Sequence, residues 1–563
     1  MYRVLKKTIA VAIALLLFSS VFPISVFAED EIVEVEVSVS DGTSFSRAFN
    51  NATSMAQELE EGQLLKVTVP AGKYKATSQL KVWSNTYICL NGVTITRTSA
   101  YGTALRFGHY SSDWQYYKAP KSKKYGRPGY TGFTNITIEG GTFNGGGGEQ
   151  ALLQVGHSTN ITLKNVTFTN VKNAHLVEFG ACKDVLVDNC TFQDFAGNWN
   201  SSTNYEALQF EALPNCDSHF AGYDPNDDET PCKNITVKNC TFKNLKRGVG
   251  THTGIAKSYF VNMKFLNNTF KNISGYAVIA TNYKQSKISG NTIVNCGSGI
   301  LFRTMDGSHK NFYEPKKTKY KVQKKYANLK SKITDNDITV TKAYKKGFKN
   351  VAYGIQLYGE YVDKKLSKQE RKASKNNILM PPGDFRISGV TVKKNTVNLN
   401  VCGYALWLNG AVKNTVAENT LVAEIKSKGV GGNGDLIRLV SSSKNKIKQN
   451  VISNKTKTSY APELRGICLT NSSNSNTVSE NKVTGAKKDG IKVEYSKSNT
   501  IISNKVTNSG RDGIFIMESS GIYLIDNTVK SSKAYGLHAQ KKQLKKESGN
   551  RVSKSGIRDR SWK

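Results

Sequence analysis

The sequence predicts an all-β solenoid, a parallel β-helix with coils of about 23 residues. Three observations carry that prediction. Asn481, Asn504, Asn527 and Asn550 recur every 23 residues inside the phrases SENKVTG, ISNKVTN, IDNTVKS and GNRVSKS. Short β-branched runs such as ITL, VLV and ITV are separated by Asn, Gly and Ser, with no helix-length segment between them. A six-residue strand phrase, apolar at its third and fifth positions, returns through most of the chain. A fixed period in the twenties is how stacked repeats read. The missing leucine-rich-repeat phrase leaves several short strands as the content of each coil.

Taken in chain order, residues 1–28 run from basic Arg3, Lys6 and Lys7 through an apolar stretch to Val26-Phe27-Ala28, before Glu29-Asp30. That is the layout of a secretory signal peptide. No later run is long and apolar enough to cross a bilayer, so the expected product is an extracellular or wall-associated monomer without a membrane span. Residues 29–110 are expected to hold a capping helix and the first strands. In SFSRAFNNATSMAQEL, the residues Phe45, Ala48, Ala52, Met55, Ala56 and Leu59 fall at helical spacing, and an amphipathic helix covers the apolar column that a solenoid end exposes.

Residues 111–563 form the body of the β-helix, with insertions expected near 212–232, 305–331 and 360–384. Asn395, Asn419 and Asn450 continue the asparagine phrase upstream, as do Asn291 in SGNTIV and the related KNVTF, DNCTF and KNCTF. Stacked coils align such residues, which predicts an internal hydrogen-bonded asparagine ladder. The second insertion carries nine lysines between Lys310 and Lys332, interleaved with Tyr313, Tyr320 and Tyr326. Loops of this length in a compact solenoid are functional or unstructured.

The formal charge of +36 makes polyanion binding easy. For an exported protein the available polyanions are uronic-acid polysaccharides, teichoic acids and sulfated glycans, and no nucleic acid is expected. A Lys-rich surface that only maintains solubility is the competing explanation. Nine cysteines leave at least one unpaired. Cys216 and Cys232 bracket a polar loop. Cys182 and Cys232, and Cys190 and Cys240 in their NCTF phrases, instead read as equivalents on stacked coils.

The strand phrase runs HLVEFG from His175, EALQFE from Glu206, RGVGTH from Arg247, YAVIAT from Tyr276, SGILFR from Ser298, YGIQLY from Tyr353, YALWLN from Tyr404 and DLIRLV from Asp435. Alternation turns its third and fifth positions inward and its fourth and sixth outward. The fourth position then lines up Glu178, Gln209, Gly250, Ile279, Leu301, Gln356, Trp407 and Arg438. The sixth lines up Glu211, His252, Thr281, Arg303, Tyr358 and Asn409. Acids, an imidazole, a guanidinium, amides and aromatics on one face suit a row of sugar subsites, since Arg pairs with carboxylates and amides with hydroxyls. Glu178, Glu211, His252 and Arg303 are the candidate catalytic residues. Gln209, Gln356, Tyr358, Trp407 and Asn409 are the candidate substrate-binding residues. Glu206 faces Arg247 on the next coil, an expected ion pair.

The phrase Val69-Pro70-Ala71-Gly72-Lys73-Tyr74, the strand ending Leu90-Asn91-Gly92-Val93 and the preceding helix resemble the openings of the pectin-lyase-like superfamily. The resemblance implies a right-handed helix. It implies no single activity, because that superfamily spans lyases, hydrolases, epimerases and inert surface proteins. Polygalacturonase motifs are missing apart from a loose GVGTHTG from Gly248. Tyr223-Asp224-Pro225 resembles an epimerase phrase but continues with Asn226 instead of His.

Three reactions fit the face. β-Elimination needs a base, His252 or a Tyr, with Arg303 or Ca²⁺ neutralising the uronate. Epimerisation adds a second proton donor. Hydrolysis needs two carboxyls, and Glu178 and Glu211, one coil and two residues apart, stand about 8 Å apart at the backbone. A non-catalytic adhesin that holds anionic glycan is the alternative. The acidic loop with Asp217, His219, Asp224, Asp227, Asp228 and Glu229 offers ligands to Ca²⁺ without a complete EF-hand, and no cofactor is required.

Overall fold

The computed structural model describes residues 31–39, 43–99, 102–108, 129–200, 205–212, 229–305, 312–314, 321–342, 351–362, 381–429 and 434–562. The leader at 1–28, Cys216 and the acidic loop from Asp217 to Asp228 lie outside these residues.

Three long parallel sheets run the length of the solenoid: sheet one with 19 strands, and sheets two and three with 16 each. The six-residue phrase forms sheet two. Its register is the one expected, with Glu178 opposite Gln209, Gln209 opposite Gly250, Thr281 opposite Arg303, and Gln356 opposite Trp407. Third and fifth positions such as Leu208, Phe210, Val278 and Phe302 enter the continuous core. Within sheet three, Phe143, Phe168, Phe192, Phe242 and Phe270 stack in one file with centroids 4.7–5.6 Å apart.

The helix spans Phe45–Ser54, capped by the Ser44 side chain. Its Asn50 and Thr53 bond the backbone of Gln79 and Lys81, so it closes the first coil of sheet two by hydrogen bonds as well as by burial. One detail differs from the expected apolar stripe. Phe49 is buried and Met55 exposed, because the α-helix ends at Ser54 and a single 3₁₀ turn carries Met55 outward.

The asparagine ladder is present. Asn291, Asn336, Asn395, Asn419, Asn450, Asn481, Asn504, Asn527 and Asn550 are all buried. The Oδ1 of each accepts from the backbone N–H and the side-chain amide of the asparagine one coil earlier, as between Asn481 and Asn504 at 3.0 and 2.9 Å. A second, shorter ladder runs through Asn414, Asn445, Asn476 and Asn499. The phrases KNVTF, DNCTF and KNCTF enter it differently from expectation. Their asparagines, Asn165, Asn189 and Asn239, sit one residue earlier at left-handed turn positions with φ of 52–58°. Val166, Cys190 and Cys240 occupy the ladder position, and the Cys240 sulfur accepts from Cys190 N at 3.4 Å. The described cysteines are free thiols, and Cys182 and Cys190 stack on Cys232 and Cys240 as coil equivalents.

The second insertion is shorter at its end than expected, since the strand Asn328–Thr334 already belongs to sheet one. The second and third insertions meet. Gln323 exchanges hydrogen bonds with Asp384, and Met305, Phe312 and Phe385 form a small apolar cluster with Ala256.

Replacing Asn504 by Ala removes the acceptor of two bonds from Asn481 and leaves the Val478 carbonyl without its amide donor. The expected cost is about 2–3 kcal/mol, read as a lower urea midpoint at unchanged m-value, against a near-neutral Lys505→Ala on the exposed position beside it.

Candidate functional site

Parallel stacking at about 4.8 Å per coil puts neighbouring side chains of one column within bonding reach. Along the strands that begin at Val177, Glu206 and Arg247, and just beyond their ends, this gathers Glu178, His175, Glu206, Gln209, Glu211, Arg247 and His252. Glu206 Oε1 accepts from Arg247 at 2.8 Å, the expected ion pair, while its Oε2 faces His252 Nδ1 at 3.2 Å. Glu211 Oε1 accepts from Gln209 Nε2 at 2.8 Å and from the His252 backbone N–H at 3.1 Å, and lies 3.4 Å from His252 Nδ1. His175 stacks on His252 at 6.0 Å, its Nδ1 donating to the Glu206 carbonyl at 2.6 Å. Glu178, one coil upstream, accepts from Gln154 at 2.6 Å.

These side chains point away from the apolar core, as alternation requires, yet they are not solvent-facing as expected. Relative exposures are 0% for Glu178 and Glu206, 1% for Glu211, 2% for Gln209 and 3% for Arg303. Neighbouring coils and the insertions cover the face: His175 and Tyr205 pack edge to face beside Glu206, and Phe312 lies over the Arg303 guanidinium at 5.0 Å. Among the described groups, His252 is the open one, with a quarter of its side chain accessible.

Burial and pairing separate the protonation of these groups. Burial pushes the Glu206 carboxyl up, but the charges of Arg247 and His252 overcome it and hold it well below the usual carboxylate range. Burial dominates at Glu211 and raises it, against the opposing pull of His252 and hydrogen bonds from Thr253 and Gln209. Burial lowers His252, yet the Glu211 and Glu206 carboxylates outweigh it and push the imidazole up to about 9. Burial keeps His175 low and neutral. Glu211 Oε2 and Gln209 Oε1 are buried with no hydrogen-bond partner among the described residues. His175, Glu206 and His252 also place one ligand atom each within 4.8 Å of the others, in reach of one divalent ion, although Arg247 already neutralises Glu206.

The expected site residues thus divide. Glu178, Gln209, Glu211 and His252 form one cluster. Arg303 forms no ion pair with Glu178, Glu206 or Glu211: it donates to Thr281 Oγ1 at 3.1 Å and to the His252 carbonyl at 3.4 Å. Farther along the same columns lies an aromatic platform, with Tyr353 stacked on Tyr404 at 5.8 Å and Trp407 5.2 Å from Tyr353 and 6.1 Å from Tyr358. Gln356 is buried beside it, its oxygen taken by the Tyr276 hydroxyl at 2.5 Å. Asn409 and Tyr358 line an open cleft of about 620 Å³ with Tyr361 and Arg386. Apolar Ile279 and Leu301 bridge the two ends.

Four participants escaped the sequence reading. Glu206 lies in an aligned window and reads as an ion-pair partner of Arg247, and His175 opens another window that is given no role. Arg106 and Gln154 continue the fourth-position column upstream, and both line a cleft of about 560 Å³ with Gln79, Thr103 and Glu178. Their phrases, TALRFG from Thr103 and ALLQVG from Ala151, carry the same apolar third and fifth positions.

Comparison with known proteins agrees with this architecture. The family described as "Right handed beta helix region" matches residues 129–293 and 382–552, more than half of the chain. "Plasmin and fibronectin-binding protein A" of Streptococcus pneumoniae is 30% identical over 178 residues, covering 29% of this chain and only 24% of that protein. The crystal structure of PfbA, a surface adhesin of the same organism, aligns with 88% of this chain and 93% of its own at 20% identity and a TM-score of 0.44. A mutant tailspike protein of the Escherichia coli bacteriophage HK620, solved with a pentasaccharide, aligns with 87% of this chain and 79% of its own at 14% identity and a TM-score of 0.47.

A histidine held above its unfolded value near 6.5 adds stability below that pH and loses it as pH climbs through about 9. The free energy of unfolding, read from urea titrations, is therefore expected to fall between pH 6.5 and 9 by an amount on the order of 3 kcal/mol. A His252→Gln variant is expected to lack that decline.

Proposed function

Because the chain belongs to the right-handed β-helix family, we propose that it is an extracellular glycan-active protein whose outer face on sheet two hydrolyses an acidic polysaccharide. The opposite protonation bias of Glu206 and Glu211, on either side of His252, carries this reading. Two carboxyls whose surroundings drive their pKa values apart are the mark of an acid paired with an ionised partner.

In this reading Glu211 is the proton donor: burial raises its carboxyl beside His252, and its buried Oε2 has no hydrogen-bond partner among the described residues. Glu178 lines the upstream cleft and stands one coil and two residues away, about 8 Å at the backbone, a spacing that leaves room for a water in an inverting displacement. Glu206 stays ionised against Arg247 and keeps His252 charged. The same facts weigh against β-elimination, since an imidazole held charged up to about pH 9 is not a base at neutral pH and Arg303 lies under Phe312. A requirement for Ca²⁺ or another cofactor plays no part in this mechanism.

The aromatic platform supports a second reading, a non-catalytic glycan-binding protein, because half-buried Tyr353, Tyr404 and Trp407 present ring faces without needing a reaction. The name of the pneumococcal relative, a plasmin- and fibronectin-binding protein, favours surface adhesion in the same way.

The purified protein is expected to release reducing ends from at least one acidic polysaccharide without the ultraviolet absorbance of an unsaturated uronate. Glu211→Gln and Glu178→Gln are each expected to lower that rate by roughly 100-fold or more with little change in melting temperature. Trp407→Ala is expected to raise KM several-fold at constant kcat. Absorbance growth would favour elimination, and retention of polysaccharide without product would favour the binder.

A further inference from the structure

Sheet one pairs many of its lysines with acids one coil away. Lys66 meets Glu34 at 2.6 Å, Lys164 meets Glu139 at 2.9 Å, Lys238 meets Asp188 at 3.1 Å and Lys393 meets Glu418 at 2.9 Å. In the middle of the sheet this habit stops. Lys264 lies opposite Lys287, and Lys287 opposite Lys332, in exact parallel register. Threonines flank the file, with Thr236 before Lys264 and Thr391 after Lys332. Lys330, two residues before Lys332, shares its outward side, and Lys284 stands beside Lys287 over the Tyr259 ring at 5.4 Å. None of these five lysines has an ion pair among the described residues.

The file is costly for a free protein. Like charges directly opposite on neighbouring strands destabilise a sheet, and at about 4.8 Å each contact costs up to about 1 kcal/mol in water. Shorter files of two occur elsewhere, Lys183 opposite Lys233 on sheet one and Lys243 opposite Lys271 and Lys482 opposite Lys505 on sheet three. Only here, among the described residues, do three stack, with two further lysines on the N-terminal side of the file. A substitution to Asp or Glu at any rung would relieve the repulsion, as it does at four other places on this sheet.

We propose that this file binds a linear polyanion lying along the solenoid axis, with one cation per coil meeting successive charges of the polymer. The surface is separate from the proposed hydrolytic face, which lies on sheet two. It would hold the protein on an anionic polymer whichever activity sheet two performs. A phosphate-bearing polymer and a carboxylate-bearing polymer both supply the required regular negative charge.

The test is binding of the whole protein to inorganic polyphosphate and to polygalacturonate across a salt series. Polyphosphate is no sugar, so its result is independent of the site on sheet two. Lys264→Gln/Lys287→Gln/Lys332→Gln is expected to weaken binding to one or both polymers at least tenfold and to flatten the salt dependence by two to three charges. Lys482→Gln/Lys505→Gln/Lys530→Gln removes the same charge from sheet three and is expected to stay within twofold. The melting temperature of the first variant should hold or rise, since repulsion is relieved. Lys287→Glu alone supplies a second test with one change. Loss for only one polymer identifies its charged group, and equal loss for both supports charge spacing as the determinant. Equal weakening by the two triple variants, or no weakening by the first, would overturn the proposal.

Discussion

Register is the constraint on which everything else depends. Each ladder asparagine ties two neighbours at once, donating to a carbonyl of the coil before it and accepting from the asparagine of that same coil. Asn504, for example, donates to Val478 O at 2.8 Å and accepts from Asn481 N at 3.0 Å. Slipping one coil by a residue would strand these buried donors and acceptors and turn the apolar file outward. With slippage forbidden, a column of side chains on the outer face keeps its order over many coils. The strands that carry Glu206, Glu211 and Arg247 therefore fix the order of these side chains, and His252 follows two residues beyond the end of the Arg247 strand.

That rigidity makes the buried charges affordable. A carboxylate with no exposure, such as Glu206, would be strongly disfavoured alone, and its position is secured by Arg247 and His252 on the next coil. The C-terminal coils show the same physics without the chemistry. At the first position of the strand phrase, Asp435, Arg465 and Asp489 alternate, with Arg511 bonded to Asp489 and His538 to Asp512. Each charge there has an opposite partner. In the site, Glu206 meets Arg247 and His252, Glu211 meets His252 and Gln209, and burial raises the Glu211 carboxyl.

The fold and the cross-coil register were legible because a periodic strand phrase encodes both, and the windows from His175 to Asp435 align as the strands do. Burial was not legible. It comes from insertions without period, where Phe312 and Phe385 pack against Met305 and close over Arg303. The asparagines of KNVTF, DNCTF and KNCTF misled by one residue for a related reason. Asparagine serves two neighbouring positions in this coil, the left-handed turn and the ladder, and composition does not distinguish them. Only the ladder's neighbours do: where Asn leaves that position, Val166, Cys190 and Cys240 fill it with small buried groups. Likewise Glu206 looked structural because its Arg247 partner was evident in sequence, while its second oxygen, turned to His252, was not.

The arrangement of columns also bears on how one chain can keep an acidic cluster and a strongly basic surface apart. Sheets one and two share every coil, so a charge placed on one is carried around the solenoid by the same repeats that build the other. Across the rungs of Lys264, Lys287 and Lys332, the fourth position of sheet two is Ile279 and Leu301, packed with Tyr276 and Tyr353 instead of bearing charge. The carboxylates lie upstream of these coils and the Trp407 platform lies downstream. The cations thus stand behind a stretch where the fourth-position column is apolar, and exposed charges more than about 10 Å apart are largely screened at physiological salt. Column order, set by the ladder, thus allows an acidic cluster to coexist with a chain of net charge +36.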